Sequence, residues 1–225
     1  MMRRFNRIGT VFCISILFCV SIIFFLLLCS KVDADYQDRV TFVYDGDTVK
    51  LSSGKKIRLA GIDTPEREPQ QYYYKEAKLH LCRIVERGGF YVSIHTISTD
   101  HYGRKIADLF DKNGKSISER MLADGMASFY YHSELSEKMM AKFLSIQRKA
   151  IKKRNGMWKK LLASPLASQK YVGNRNSMRF FSMSCVDWKN IGRRNRVLFQ
   201  NLEEAYSAGY APARPCKIFP LASYF

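Results

Sequence analysis

Acidic residues are in short supply: 20 Asp and Glu stand against 37 Lys and Arg in 225 residues, a formal charge of +17. That deficit points away from basic partners and towards polyanions, either nucleic acid or an anionic surface. Solvated basic helices give the same total, so charge alone does not choose. Cysteine is scarce too, and three of the six (Cys13, Cys19, Cys29) fall in the first 34 residues, leaving Cys82, Cys185 and Cys216. No internal repeat is visible, which excludes a solenoid or repeat array. A long apolar run occurs once, from Ile8 to Cys29.

That run follows "MMRRFNR" and holds 22 uncharged residues. A positive start and an apolar stretch make an export signal, and roughly 20 residues also suffice to span a bilayer. Val32-Asp33-Ala34 supplies small residues for cleavage. Residues 1–34 are therefore read as an export signal or an N-terminal membrane anchor, with residues 8–29 as the tether. A buried core helix is the bland alternative. Arg3, Arg4 and Arg7 would stay inside, so the rest is expected to be extracytoplasmic, periplasmic or secreted, where a disulfide is permissible. Residues 35–225 keep 33 Lys and Arg against 19 acids, a net +14.

Beyond the leader, "DRVTFVYDGDTVKL" alternates around a DG turn and reads as a hairpin. "KKIRLAGI", "FYVSIHTIS" and "KIADLF" read as further strands. From Tyr74, Ala77, Leu81, Ile84 and Val85 recur at helical spacing until Gly88-Gly89. "SISERMLADG" predicts a short helix. Ser133 is expected to cap a third, with Leu135, Met139, Phe143, Ile146 and Ala150 on one face. Cys82 is expected to be a buried free thiol. Five short strands with three helices predict an α+β, mainly β fold: a small closed barrel with helices at one side.

Against the basic background, Val43 to Glu66 gathers four carboxylates: Asp45, Asp47, Asp63 and Glu66. Hard divalent cations such as Ca²⁺ want oxygen ligands, and Asp47 and Asp63 each sit at a strand end that can aim them into one pocket. A phosphodiester arriving there would be repelled unless a metal mediated. Arg58 and Arg104 offer guanidinium forks to phosphate oxygens, and Glu66 is left to take a proton from water. Singly, each has a plain alternative: a DGD turn, a loop-fixing aspartate, a solvated hairpin arginine.

The ordered set D-G-D-T-V-x-L, R-L-x-G-I-D-T-P-E and T-D-x-Y-G-R resembles the staphylococcal nuclease (thermonuclease) family. The likeness covers roughly Asp38 to Trp158, through "LADGMASFYY" and "NGMW", within a domain read as residues 35–162. It implies an OB-type barrel with three helices and Ca²⁺-dependent hydrolysis of DNA and RNA with little sequence preference. Carried over by position, Asp47 and Asp63 are metal ligands for one Ca²⁺, and Thr64 contributes its carbonyl. Arg58 and Arg104 bind the phosphate in the transition state, and Glu66 acts as base or positions water. Tyr102 and Tyr131 fall near nucleotide-contacting positions. Asp45 is no family ligand and is expected to hold the turn. The expectation is an exported endonuclease acting as a monomer. The alternatives are a nuclease-fold module that binds nucleic acid or protein without cutting, and an envelope structural protein.

Residues 163–169 read as a linker. Residues 170–220 resemble the four-cysteine zinc module of Ada-type repair proteins, with Phe181 and Ala213 at two of the ligand positions. No zinc is expected from the two cysteines left, and with the likeness comes the expectation of a Cys185–Cys216 disulfide. The segment's nine Lys and Arg against three acids leave room for auxiliary nucleic-acid contact. No catalytic residue is expected beyond Arg104.

Overall fold

The computed structural model describes residues 37–216. The expected leader and its span, residues 8–29, lie outside the described residues, as do residues 217–220. Among the described residues no helix is long and apolar enough to cross a membrane.

Strand β1 (Gln37–Val43) turns through Asp45-Gly46 into β2 (Thr48–Leu51), followed by β3 (Lys56–Leu59) and β4 (Ile62–Asp63). Helix α1 (Tyr74–Arg87) leads to β5 (Tyr91–Thr99) and β6 (Lys105–Phe110). The order β1-β2-β3-β6-β5 closes on itself as a five-stranded barrel, antiparallel except for the β3–β6 pair. This is the OB architecture. Val49, Leu51, Ile57, Leu59, Ala107 and Leu109 share one buried face, as two-residue alternation and the strand register dictate, whereas β6 is buried on its other face too, at Ile106 and Asp108.

Helix α1 buries Ala77, Leu81, Ile84 and Val85, the stripe its spacing predicts. Cys82 lies beside that stripe, half-buried and free rather than fully buried. Helix α2 (Ile117–Ala123) is capped by Ser116, whose hydroxyl accepts from the Glu119 amide. Helix α3 (Glu137–Lys152) corrects one expectation: its cap is Ser136, which accepts from the Met139 amide, whereas the Ser133 hydroxyl donates to Glu134. Leu135 is buried ahead of the helix, and its apolar character extends the helical pattern one step too far.

"KKIRLAGI" is also not one strand. Gly61 takes φ +69°, and a Cβ there would come within 2.7 Å of the Phe143 ring. The chain leaves the barrel at that point, and β4 pairs with β7 (Ser128–Phe129). The break turns Asp63 towards the β1–β2 turn.

After α4 (Trp158–Leu161), residues 163–169 contain the 3-10 turn Pro165–Ser168. The chain continues as β8 (Tyr171–Asn174), β9 (Arg179–Ser182), β10 (Arg196–Phe199), α5 (Leu202–Ser207) and β11 (Ala211–Pro212). The strands form one sheet in the order β10-β8-β9-β11. Its apolar side packs with Ala150, Ile151, Met157, Trp158 and Leu161 in a second core. Trp158 meets Tyr206 edge to face at 4.8 Å. Gln147, fully buried, spans the two parts: its Oε1 accepts the Phe129 amide at 2.6 Å and its Nε2 donates to the Tyr206 carbonyl at 2.7 Å.

Candidate active site

The site is built on the turn after β1. The Asp45 Oδ1 accepts the Asp47 amide at 3.0 Å, which closes the turn. Gly46 has no room for a side chain: a Cβ would fall 2.8 Å from Thr64 and 2.9 Å from Ala77. The turn therefore presses against the segment that follows β4. The Leu59 amide donates to the Asp47 carbonyl at 2.7 Å, locking the turn to β3.

Asp47 is buried and fully engaged. Its Oδ1 accepts the Thr48 hydroxyl at 2.9 Å and pairs with the Arg58 guanidinium. Its Oδ2 accepts the Thr64 amide at 3.0 Å and the Thr64 hydroxyl at 2.8 Å. Arg58 also donates through Nη2 to Asp63 Oδ1 at 2.7 Å. One buried guanidinium thus joins the two aspartates from separate strand ends. Burial works against ionising Asp47, yet Arg58 and the threonine donors hold its carboxyl below the usual range. Asp63 goes the other way. Burial, with the charge of Asp47, pushes it up despite Arg58. Glu66 is raised by burial and by Asp63 and Asp47, and Asp45 is pushed up to about 6 by burial and Asp47.

Arg104 stands opposite on the β5–β6 hairpin. Its Nε donates to Asp100 Oδ2 at 2.7 Å and its amide to Asp100 Oδ1 at 2.9 Å. These bonds fix the arginine's direction and, against burial, keep the Asp100 carboxyl below its usual range. Tyr102 projects 72% exposed, with the Arg104 guanidinium 5.5 Å from its ring centre.

These groups line a cleft of about 400 Å³ bounded by Asp45, Asp47, Thr48, Lys56, Arg58, Glu66, Tyr102, Arg104 and Arg214. Asp63 and Thr64 are joined to it through Arg58 and Asp47. Tyr131 is not brought to the cleft; it is half-buried against the barrel core. Sequence reasoning missed four contributors: Thr48, which donates to Asp47 from inside a quoted motif, and Lys56, Asp100 and Arg214. Lys56 could have been found as the polar alternate of β3. Asp100 lay inside a quoted motif without a role. Arg214 had no local signal, since only the fold of the C-terminal sheet carries it 3.7 Å from Glu66 Oε1.

The donor set fits a hard cation. It offers carboxylates and a threonine carbonyl, and three of its acids (Asp45, Asp63, Glu66) are pushed up by burial and mutual repulsion that Arg58 alone does not relieve. Elsewhere, Cys185 and Cys216 form a disulfide with Cα atoms 5.5 Å apart. Asp187 completes a group close enough to share an ion, but sulfurs bonded to each other are not thiolate ligands.

Residues 56–160 match the family described as staphylococcal nuclease homologue. Endonuclease YhcR of Bacillus subtilis (strain 168) is 26% identical over 207 residues, covering 80% of this chain and 17% of that protein. Probable endonuclease LCL3 of Komagataella phaffii is 34% identical over 111 residues, covering 45% of this chain and 48% of the relative. An uncharacterized endonuclease of Escherichia coli O157:H7 is 27% identical over 128 residues, 56% of this chain and 78% of its own length. The chain thus spans about a sixth of YhcR and about half of LCL3. The likeness to YhcR reaches beyond the matched domain, because 80% of the chain exceeds residues 56–160.

Proposed function

From a chain whose residues 56–160 belong to the staphylococcal nuclease homologue family, we propose an exported, Ca²⁺-dependent endonuclease that hydrolyses phosphodiester bonds of DNA or RNA with little sequence preference. The observation that carries this reading is the cleft itself, where Asp47, Arg58, Glu66 and Arg104 line one cavity. A binding module would need the arginines but neither the buried aspartate pair nor Glu66.

Each residue has a task that its geometry suits. Asp47 and Asp63, with the Thr64 carbonyl, would hold the cation. When bound, Ca²⁺ would neutralise the acids and draw charge from a phosphate oxygen. Arg104, aimed by Asp100, donates to the phosphate's non-bridging oxygens as charge grows there. Arg58 balances the buried aspartates and, as part of the cleft lining, would meet the same phosphate. Glu66, half-buried and raised in basicity, accepts a proton from the attacking water. Tyr102 and Lys56 flank the entry, and the net basic surface steers the polyanion in.

Residues 1–34 belong to this proposal as signal or anchor, residues 35–162 as the nuclease domain and residues 170–220 as an Ada-like module without zinc. The protein would act outside the cytoplasm as a monomer. The test is incubation of residues 35–225 with single- and double-stranded DNA and RNA, with Ca²⁺, Mg²⁺ or chelator. Cleavage with Ca²⁺, less with Mg²⁺ and none in chelator is expected, because Mg²⁺ demands a tighter octahedral shell. Undiminished cleavage in chelator would remove the metal, and full activity of Glu66→Gln would remove Glu66.

A further inference from the structure

The acids of the cleft all come from the barrel and its loops, but one of its cations does not. Arg214 belongs to the C-terminal segment, beyond the match to the family, and lines the same cleft as Asp47, Arg58, Glu66 and Arg104.

Its backbone is held from both sides. Immediately before it, β11 runs parallel to β9, and the Ala213 amide donates to the Phe180 carbonyl at 2.8 Å. It opens the 3-10 turn Arg214–Cys216, in which the Cys216 amide donates to the Ala213 carbonyl at 3.2 Å and Cys216 is bonded to Cys185. The guanidinium, by contrast, is loosely occupied. Its side chain is 71% exposed, and among the described residues its ion pair is with Glu66, 3.7 Å long. That distance is too great for a hydrogen bond, and an exposed pair of this kind adds little. Anchored at the backbone and uncommitted at the tip, Arg214 suits a partner that arrives and leaves. The guanidinium fork fits phosphate oxygens.

We propose that Arg214 binds a backbone phosphate of the polynucleotide beside the one that is cut, and that the Cys185–Cys216 disulfide holds it in reach. The proposal rests on the nuclease reading of the cleft. It makes the C-terminal segment part of the substrate site. Arg179, on the neighbouring strand β9, supports the same electrostatic field. Its guanidinium is 3.6 Å from the ring centre of Tyr130, and it stands opposite Ala211 in the β9–β11 pairing.

The test uses a fluorescein-labelled 20-nucleotide single-stranded DNA with a cleavage-resistant phosphorothioate backbone, titrated by anisotropy in Ca²⁺ over a series of salt concentrations, with steady-state cleavage of the ordinary DNA beside it. Arg214→Ala should weaken binding about tenfold and lower the slope of log Kd against log salt by about 0.7, the value for one phosphate contact on a single strand. In cleavage the loss should sit in KM rather than kcat. Arg214→Lys should keep the slope while losing part of the affinity, since an ammonium preserves charge without the fork. The double variant Cys185→Ala/Cys216→Ala should move binding in the same direction as Arg214→Ala and add little to it.

Unchanged Kd and salt slope in Arg214→Ala, with wild-type thermal stability, would overturn the proposal. So would a fall in kcat with KM unmoved, because that would place the effect on Glu66. The nuclease reading fails separately, through undiminished cleavage by Arg58→Ala and Arg104→Ala. A wild-type protein that neither binds nor cleaves the oligonucleotide in Ca²⁺ would sink both.

Discussion

The carboxylates of Asp47 and Asp63 meet on a single guanidinium: Arg58 pairs with Asp47 Oδ1 through Nη1 and donates to Asp63 Oδ1 through Nη2 at 2.7 Å. All three side chains are largely buried. Removing one partner from such a set strands charge in a poor solvent, at a cost of about 3–5 kcal/mol. Arg58→Ala should therefore lower stability as well as cleavage, and Ca²⁺ should raise its Tm more than it raises the wild type's. Thermal melts in Ca²⁺ and in EDTA check this. Equal Ca²⁺ shifts in the two proteins would separate the aspartates from the cation.

Asp100 supplies a prediction about orientation. It touches Arg104 twice and lies outside the lining of the cleft. Asp100→Ala should leave the arginine's charge in place but release its direction, lowering kcat about tenfold with a smaller change in KM. Asp100→Asn keeps an acceptor for the amide or the guanidinium and should recover part of the loss. Equal defects in the two variants would mean that the hairpin, rather than the arginine, had been disturbed.

Much of this was legible in the chain. The alternation in β2 and β3 and the Ala77-Leu81-Ile84-Val85 stripe are local consequences of burial, so these strands and α1 could be read directly, while β6 is buried on both faces and shows no alternation. The acidic motif likewise placed Asp47, Asp63, Arg58 and Glu66 in order. What escaped depended on distant surfaces. Gly61 breaks a strand because Phe143, 82 residues later, occupies the space its side chain would need. Residues 170–216 do not carry a core of their own, since Trp158 and Met157 complete it. Tyr131 was placed near the nucleotide only by position in the family motif, and packing against the barrel core keeps it half-buried and away from the cleft.

Asp108 gives a pH dependence with a defined sign. It is buried on β6 and accepts the Ser116 hydroxyl at 2.8 Å. Burial nonetheless pushes its carboxyl from 3.8 up to about 6. The folded state then holds this proton more tightly than the unfolded chain. Stability from this group is fully present below the unfolded value and is lost as pH rises through about 6, by about 3 kcal/mol. Urea melts between pH 4 and pH 7 should show that decline over other titrations. Asp108→Asn should remove it, whatever the variant does to mean stability. A decline of the same size in Asp108→Asn would assign it to another group.

The C-terminal segment should prove inseparable from the nuclease domain, and Gln147 tests why. Its amide joins the Phe129 N–H on one side to the Tyr206 carbonyl on the other. Arg148 and Arg154 add a hydrogen bond to Ser207 and an ion pair with Glu203 nearer the surface. Gln147→Leu fills similar space but strands one buried donor and one buried acceptor, each costing about 1–3 kcal/mol. Gln147→Glu keeps an acceptor for Phe129 and sets a second acceptor against Tyr206, so it should fall nearly as far. Both variants should unfold at lower urea with an unchanged m-value, as one cooperative unit. Deleting residues 163–225 should do worse, because Met157, Trp158 and Leu161 would face water, and so point variants rather than truncations are the right probes of the segment. A truncated protein of wild-type stability, or a Gln147→Leu cost below about 0.5 kcal/mol, would show that the two parts stand without each other.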